Sequence, residues 1–150
     1  MAILQISENV ILKILEEEKN YDNKEFGGYL VVKNNIIKDV VFDVATSNYG
    51  YVKFDLKNII KLPAEKQKYV RGWMHSHPIT GWSGLDQNTM MNLTKFWGEC
   101  CSVVLQQPTR KLLLTKTIFT TNFPVPYPIF AVVNEYEIDL HNYKTNPMVW

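Results

Sequence analysis

Residues 25–33 of this chain are Glu25-Phe-Gly-Gly-Tyr-Leu-Val-Val-Lys33, and Asn34-Asn35 and an apolar segment at residues 36–45 follow. A short apolar run between polar flanks is typical of a buried strand. Asparagine tolerates the left-handed backbone of a two-residue hairpin turn. We therefore predict a β-hairpin with strands at residues 25–33 and 36–45.

The segments around this hairpin have recognisable periods. Apolar residues at helical spacing predict an amphipathic helix over residues 8–19, with Ser7 as its N-cap. After the hairpin, residues 46–52 are predicted to be a loop. Residues 55–68 are predicted to hold a short helix that breaks or restarts at a proline. A strand is then predicted over residues 69–75.

The second half of the chain alternates one helix with further strands. The spacing of Met90, Leu93 and Trp97 predicts a helix over residues 84–97 that stops at Gly98. Three strands are predicted after it, at residues 100–106, 111–120 and 129–138, with a loop or edge segment at residues 123–128. This order predicts one α+β domain over residues 1–150, in which helices flank a mixed sheet.

Composition excludes several classes of protein. Of the 150 residues 46% are hydrophobic and 21% charged, as in a soluble globular protein. A net charge of +1 gives no pull toward nucleic acid or an anionic membrane. Apolar runs are too short to cross a bilayer, and the first residues do not resemble a signal peptide. Neighbouring Cys100 and Cys101 are poorly placed for a structural disulfide, which predicts a reducing, cytoplasmic location.

The stretch from Gly72 to Asp86 contains the candidate metal ligands. It reads Gly-Trp-Met-His75-Ser-His77-Pro-Ile-Thr-Gly-Trp-Ser83-Gly-Leu-Asp86. On an extended backbone His75 and His77 point to the same side. An aspartate nine residues later can supply a third ligand. Two histidines, one carboxylate and a water in the fourth position form a catalytic zinc arrangement. We therefore predict one zinc ion held by His75, His77 and Asp86.

Each of these features also has a structural explanation. A His-x-His pair alone is weak evidence for a metal, because most histidines are solvated or hydrogen-bonded. Ser83 and Asp86 before a helix match a capping box. Capping is compatible with metal binding, since it would fix both side chains at the helix start. Glu25 could likewise be an exposed residue that begins a strand.

Together the residues resemble the signature of the JAMM (MPN domain) metallopeptidases. The resemblance lies in His75-Ser-His77-Pro78, in Ser83-x-x-Asp86, and in the Glu25-x-x-Gly28 pattern before an apolar strand. It implies a JAMM/MPN (cytidine-deaminase-like) architecture. It also implies zinc bound by the two histidines and Asp86, Glu25 as the acid/base that holds the attacking water, and Ser83 as hydrogen-bond donor to the oxyanion.

One departure from that family lies in the loop after His77. Five residues separate His77 from Ser83, two fewer than is usual in the family. A loop that is two residues shorter changes the positions of Ser83 and Asp86 unless the start of the helix shifts to compensate.

The resemblance implies a zinc-dependent isopeptidase or peptidase of the deubiquitinase type. Its substrates would be conjugates of ubiquitin or a ubiquitin-like protein, cleaved after the C-terminal tail. Trp82, in the predicted active-site loop, is a candidate for contact with substrate. Two alternatives stay open: a non-catalytic MPN-type interaction module, and a metallopeptidase that acts on an unrelated small peptide conjugate. The oligomeric state is left open.

Overall fold

A computed structural model describes residues 3–21, 24–42, 45–47, 52–54, 56–78, 84–121 and 128–143. Its strands are β1 Gln5–Ile6, β2 Gly27–Lys33, β3 Ile36–Val41, β4 Ala45–Ser47, β5 Val52–Phe54, β6 Val70–His77, β7 Glu99–Gln106, β8 Lys111–Thr121 and β9 Pro128–Asp139. The helices are α1 Glu8–Glu18, α2 Ala64–Gln67 and α3 Gly84–Trp97, with a 3₁₀ helix at Leu56–Lys61.

The hairpin predicted at residues 25–45 is confirmed in its turn and in most of its strands. Asn34 and Asn35 have φ values of 51° and 64°, which is the left-handed geometry of a tight hairpin. β3 ends at Val41, earlier than predicted. The loop predicted at residues 46–52 is wrong at its ends, because Ala45–Ser47 pairs with Val52–Phe54.

The helices follow the sequence closely. α1 covers Glu8–Glu18, and the carbonyl of Ser7 accepts hydrogen bonds from its first turn. The 3₁₀ helix stops before Pro63, and α2 starts after it. α3 spans Gly84–Trp97 as predicted, and Gly98 ends it with a φ of 82°.

Seven strands form one mixed sheet in the order β1-β3-β2-β6-β7-β8-β9. β6 and β7 are parallel, and α3 is part of the connection between them. The β2–β6, β7–β8 and β8–β9 pairs are antiparallel. β6, which carries both histidines, therefore lies in the middle of the sheet with a neighbour on each side.

The two faces of the sheet bury different side chains. On one face α1 packs its apolar residues, among them Val10 and Ile14, into the largest core cluster. On the other face Met90 and Leu93 of α3 pack on Trp73 and Cys100. Because neighbours on a strand point to opposite sides, each strand supplies both layers.

The sheet curls around α1. The hydroxyl of Tyr136, on β9, donates a hydrogen bond to the carbonyl of Leu4, just before β1. Lys116, on β8, donates to the side chain of Asn35 in the β2–β3 turn. These bonds join segments that are far apart in the strand order, and the sheet takes the form of a half-barrel.

A paired carboxylate joins the end of α1 to the turn between β7 and β8. Glu18, at the end of α1, accepts two hydrogen bonds of 2.8 and 2.9 Å from Arg110 and one of 3.1 Å from Gln107. Burial raises the pKa of Glu18, but the hydrogen bonds from Arg110 and Gln107 outweigh this effect, so the pKa lies below its ordinary value. The pair is therefore charged at neutral pH.

The predicted α+β architecture of the JAMM/MPN (cytidine-deaminase-like) type, with helices flanking a mixed sheet, is wrong. The structure is mostly strand, 48%, with three helices beside a curled half-barrel sheet. The physical reason is the length of the last strands. β8 has 11 residues and β9 has 12, and long paired strands twist and coil.

Cys100 and Cys101 are both free and lie on opposite faces of β7. Burial raises the pKa of the Cys100 thiol well above its usual range, and raises that of Cys101 to about 12. Both thiols are therefore protonated, and neither is an activated nucleophile. In the described part of the chain, no helix has the length and apolar character needed to cross a membrane.

Two glycines allow the central strands to approach closely. A Cβ at Gly28 would collide with the backbone carbonyl of Val41 on β3. A Cβ at Gly72 would collide with the carbonyl of Cys101 on β7. Both obstacles are backbone atoms, which cannot turn aside as a side chain can. These glycines are thus required by the sheet that holds the histidines.

We expect Gly72→Ala to lower the free energy of unfolding by about 3 kcal/mol, because the added methyl must push β6 and β7 apart. Gly98→Ala is the matched control. Its φ of 82° is strained for alanine but its Cβ meets no described atom within 4 Å, so we expect a loss of about 1 kcal/mol. Urea unfolding followed by circular dichroism measures both. Equal losses would show that the β6–β7 contact is not this tight.

Candidate functional site

The register between β2 and β6 places the predicted acid/base beside the histidines. Gly27 pairs with His75 and Gly28 with Met74. Ser76 locks this register, because its amide donates to the carbonyl of Phe26 at 2.9 Å and its Oγ accepts from the amide of Phe26 at 2.9 Å. Continuing the register by two residues puts Glu25, an isolated bridge residue, opposite His77.

Residues that face each other across an antiparallel pair project to the same side of the sheet. Glu25 therefore lies on the side of the sheet that carries His75 and His77. All three residues lie where β6 ends and β2 begins. Of the predicted site residues, the structure brings these three to one place.

The two imidazoles lie against each other and against a tryptophan. The ring centroids of His75 and His77 are 4.9 Å apart, with an angle of 79° between the planes. Trp73 stacks on His75 at 4.5 Å and 8°. His75 is 2% exposed and His77 6%, whereas Glu25 is partly exposed. Packing by Trp73 thus holds His75 in a fixed orientation.

The remaining predicted residues lie at the edge of the described structure or beyond it. Asp86 belongs to the first turn of α3, one turn before Met90, but its side chain lies outside the described residues. Ser83 and Trp82 also lie outside them.

Two of the three predicted metal ligands, His75 and His77, lie side by side on one face of the sheet, and imidazole nitrogen is a zinc ligand. Among the side chains that the structure describes, no three histidine, cysteine, aspartate or glutamate residues form a metal-binding group. The predicted third ligand, Asp86, is outside that set.

Two residues with structural roles at the site were missed from the sequence. Ser76 lies between the histidines and is fully buried, and it fixes the β2–β6 register through its bonds to Phe26. Trp73 supports His75. Strand alternation could have identified Trp73, because it precedes His75 by two residues. No sequence signal marks the partner of Ser76, which is 50 residues away.

A line of hydroxyl groups continues from the histidines across the same face of the sheet. Trp73 is next to Ser102 on β7, which is next to Thr115 on β8, which is next to Glu135 on β9. The hydroxyls of Ser102 and Thr115 are buried and have no hydrogen-bond partner within the described part of the chain. Unsatisfied buried hydroxyls are costly, so this line is a second polar feature beside the histidines.

Thr117, also on β8, differs from Thr115 in its hydrogen bonds. Its hydroxyl lies 2.8 Å from that of Thr94 on α3 and donates to the carbonyl of Cys100 at 3.3 Å. These bonds join α3 to the sheet. Thr115 and Thr117 therefore offer a matched pair, with the same side chain and near-equal burial but opposite hydrogen-bonding states.

Comparison with known proteins adds no assignment. No protein-family model matches this sequence, and no curated protein matches it significantly.

We expect Thr115→Val to raise the free energy of unfolding by about 1 kcal/mol, because it removes a buried hydroxyl that lacks a partner. Thr117→Val should lower it by about 1–2 kcal/mol through the loss of its bonds. Thermal and urea unfolding of the two variants, in one buffer, test the difference. A loss of stability in Thr115→Val equal to that in Thr117→Val would contradict the expected contrast.

Proposed function

We propose that this protein is a zinc-dependent isopeptidase or peptidase that hydrolyses an amide bond after the C-terminal tail of ubiquitin or a ubiquitin-like protein. The observation that supports the hydrolase most directly is the convergence of Glu25, His75 and His77 at one end of the β2–β6 pair. The choice of substrate rests on the resemblance of their motifs. The proposal depends on these side chains and not on architecture, since a fold does not dictate a reaction.

In this proposal His75, His77 and Asp86 hold one zinc ion. When bound, zinc lowers the pKa of a water molecule and polarises the scissile carbonyl. Glu25, opposite His77, takes the proton of the attacking water and delivers it to the nitrogen of the leaving amine. Ser83 donates a hydrogen bond to the oxygen that becomes negatively charged. Trp82 contacts the substrate.

His75 and His77 are both buried, whereas Glu25 is partly exposed. Stacking with Trp73 restricts the rotation of His75. The protein's own contribution is thus to hold two imidazoles in place beside a more exposed carboxylate.

The proposal also places the protein in the reducing cytoplasm of the cell. Cys100 and Cys101 are both free thiols, and their side chains lie on opposite faces of β7. They cannot form a disulfide with each other, so no bond between them would call for an oxidising compartment.

The metal is tested with His77→Ala. We expect the wild-type chain to carry about one zinc ion, and His77→Ala to retain at least about tenfold less, because a three-ligand site loses one donor. Zinc is measured by mass spectrometry after gel filtration in zinc-free buffer. His141→Ala is the control, because His141 is an exposed histidine bonded to Asp139. Equal zinc in the wild type and His77→Ala would contradict the metal site.

The acid/base is tested with Glu25→Gln, which keeps the size of the side chain but cannot accept a proton. We expect zinc content to be unchanged and hydrolysis of fluorogenic ubiquitin-like tails to fall by about 10²–10⁴. Glu16→Gln, on the exposed side of α1, is the control. Normal turnover by Glu25→Gln would assign the role of base to another group.

The same assays separate the two alternatives. Hydrolysis of unrelated short peptides, without hydrolysis of ubiquitin-like tails, would favour a peptidase that acts on small conjugates. A wild-type chain with neither zinc nor hydrolytic activity would favour a non-catalytic interaction module.

A further inference from the structure

An open groove of about 270 Å³ lies between α3 and the last two strands of the sheet. Its lining is mostly apolar, and Met90, Met91, Phe130 and Val132 supply the apolar part. Met91 is 42% exposed and Val132 53%. Large apolar side chains that line an open groove mark a binding surface, and methionine adapts its shape to what it contacts.

A β-bulge shapes this groove. The β8–β9 register shifts between Lys116 and Thr117, so that Thr117 pairs with Val132 and Thr115 pairs with Glu135. In a regular strand, residues 132 and 135 would point to opposite faces. The bulge turns both toward the groove, which is the effect that bulges have where they aim side chains. An apolar and an acidic side chain therefore stand together.

A buried hydroxyl lies at the floor of the groove. Thr115 lines it and is 3% exposed. Within the described residues its Oγ1 has no hydrogen-bond partner. A donor or acceptor brought by a ligand could satisfy this hydroxyl, and so it points to a bound molecule with polar as well as apolar groups.

Beyond the groove, β9 carries a row of carboxylates. Glu135, Glu137 and Asp139 alternate along the strand and are all exposed on the groove's side of the sheet. β9 ends the strand order, and no other described strand pairs with its outer edge. An extended chain added to that edge would place alternate side chains next to these carboxylates.

We propose that the groove and the outer edge of β9 bind an extended peptide in which an aliphatic residue and two basic residues alternate with others. The aliphatic side chain fills the space beside Val132 and Phe130, and the basic side chains pair with Glu135 and Glu137. The basic side chain beside Glu135 also reaches Thr115, which is the neighbour of Glu135 on β8. This inference does not depend on the proposed hydrolase activity, because the groove requires neither zinc nor Glu25.

Charge decides between this occupant and a second copy of the chain. Two β9 strands paired edge to edge would bring rows of carboxylates together, and like charges on adjacent strands repel. A basic peptide makes attractive pairs with the same row. The acidic edge therefore disfavours self-pairing while it favours a basic partner.

The test uses fluorescein-labelled peptides and the full chain in fluorescence polarisation. Two probes contain Leu-Thr-Lys-Thr-Lys and the reversed order Lys-Thr-Lys-Thr-Leu, which suit the two directions of strand addition. We expect at least one to bind, and its affinity to fall as salt increases. Replacing lysine by glutamate, or leucine by serine, should weaken binding by about tenfold or more.

Variants of the protein locate the site. The double substitution Glu135→Lys and Glu137→Lys should weaken binding by about tenfold or more. Thr115→Val should weaken it by about fivefold through one lost hydrogen bond. Glu65→Lys, an equally exposed charge reversal on α2, and His77→Ala should leave affinity unchanged. This pattern separates the groove from the histidine site.

The proposal is overturned if neither probe binds. It is likewise overturned if the peptide with glutamate in place of lysine binds as tightly as the lysine peptide. It is also overturned if Glu65→Lys weakens binding as much as the double substitution on β9. Sedimentation of the free chain supplies a further check. A stable dimer that the β9 double substitution breaks would assign this edge to self-association instead.

Discussion

The register between β2 and β6 is the constraint on which the candidate site depends. Two hydrogen bonds between Phe26 and Ser76 set it, and Gly28 and Gly72 let the neighbouring strands approach closely enough to keep it. A slip of one residue would turn Glu25 to the opposite side of the sheet from the histidines. The site is therefore a property of strand pairing first and of its side chains second.

The two faces of the sheet differ in polarity. The face that contacts α1 carries most of the apolar core. The other face carries both histidines, a line of hydroxyls and the carboxylates of β9, together with a smaller apolar layer under α3. Burying hydroxyls without partners lowers the free energy of unfolding. The apolar packing on the other face must offset this loss.

Local sequence determined most of the secondary structure, but not its overall arrangement. The hairpin at Asn34-Asn35, the limits of α3 and the strand of the histidines follow from periodicity and turn chemistry. The half-barrel does not, because the lengths of β8 and β9 and the Tyr136–Leu4 contact arise only when distant segments meet. At the site, alternation predicted the shared side of His75 and His77. It could not predict the bulge that turns Val132 and Glu135 to one side.

The parallel pairing of β6 with β7 has a consequence for how the molecule is made. β6, α3 and β7 are consecutive in the chain, and β8 and β9 extend them by antiparallel neighbours, so this half needs mainly short-range contacts. The Phe26–Ser76 bond instead closes a separation of 50 residues, which carries a larger entropic cost. On a ribosome, Glu25 emerges first yet must wait for β6. The acid and the imidazoles meet only once the nascent chain has closed that long loop.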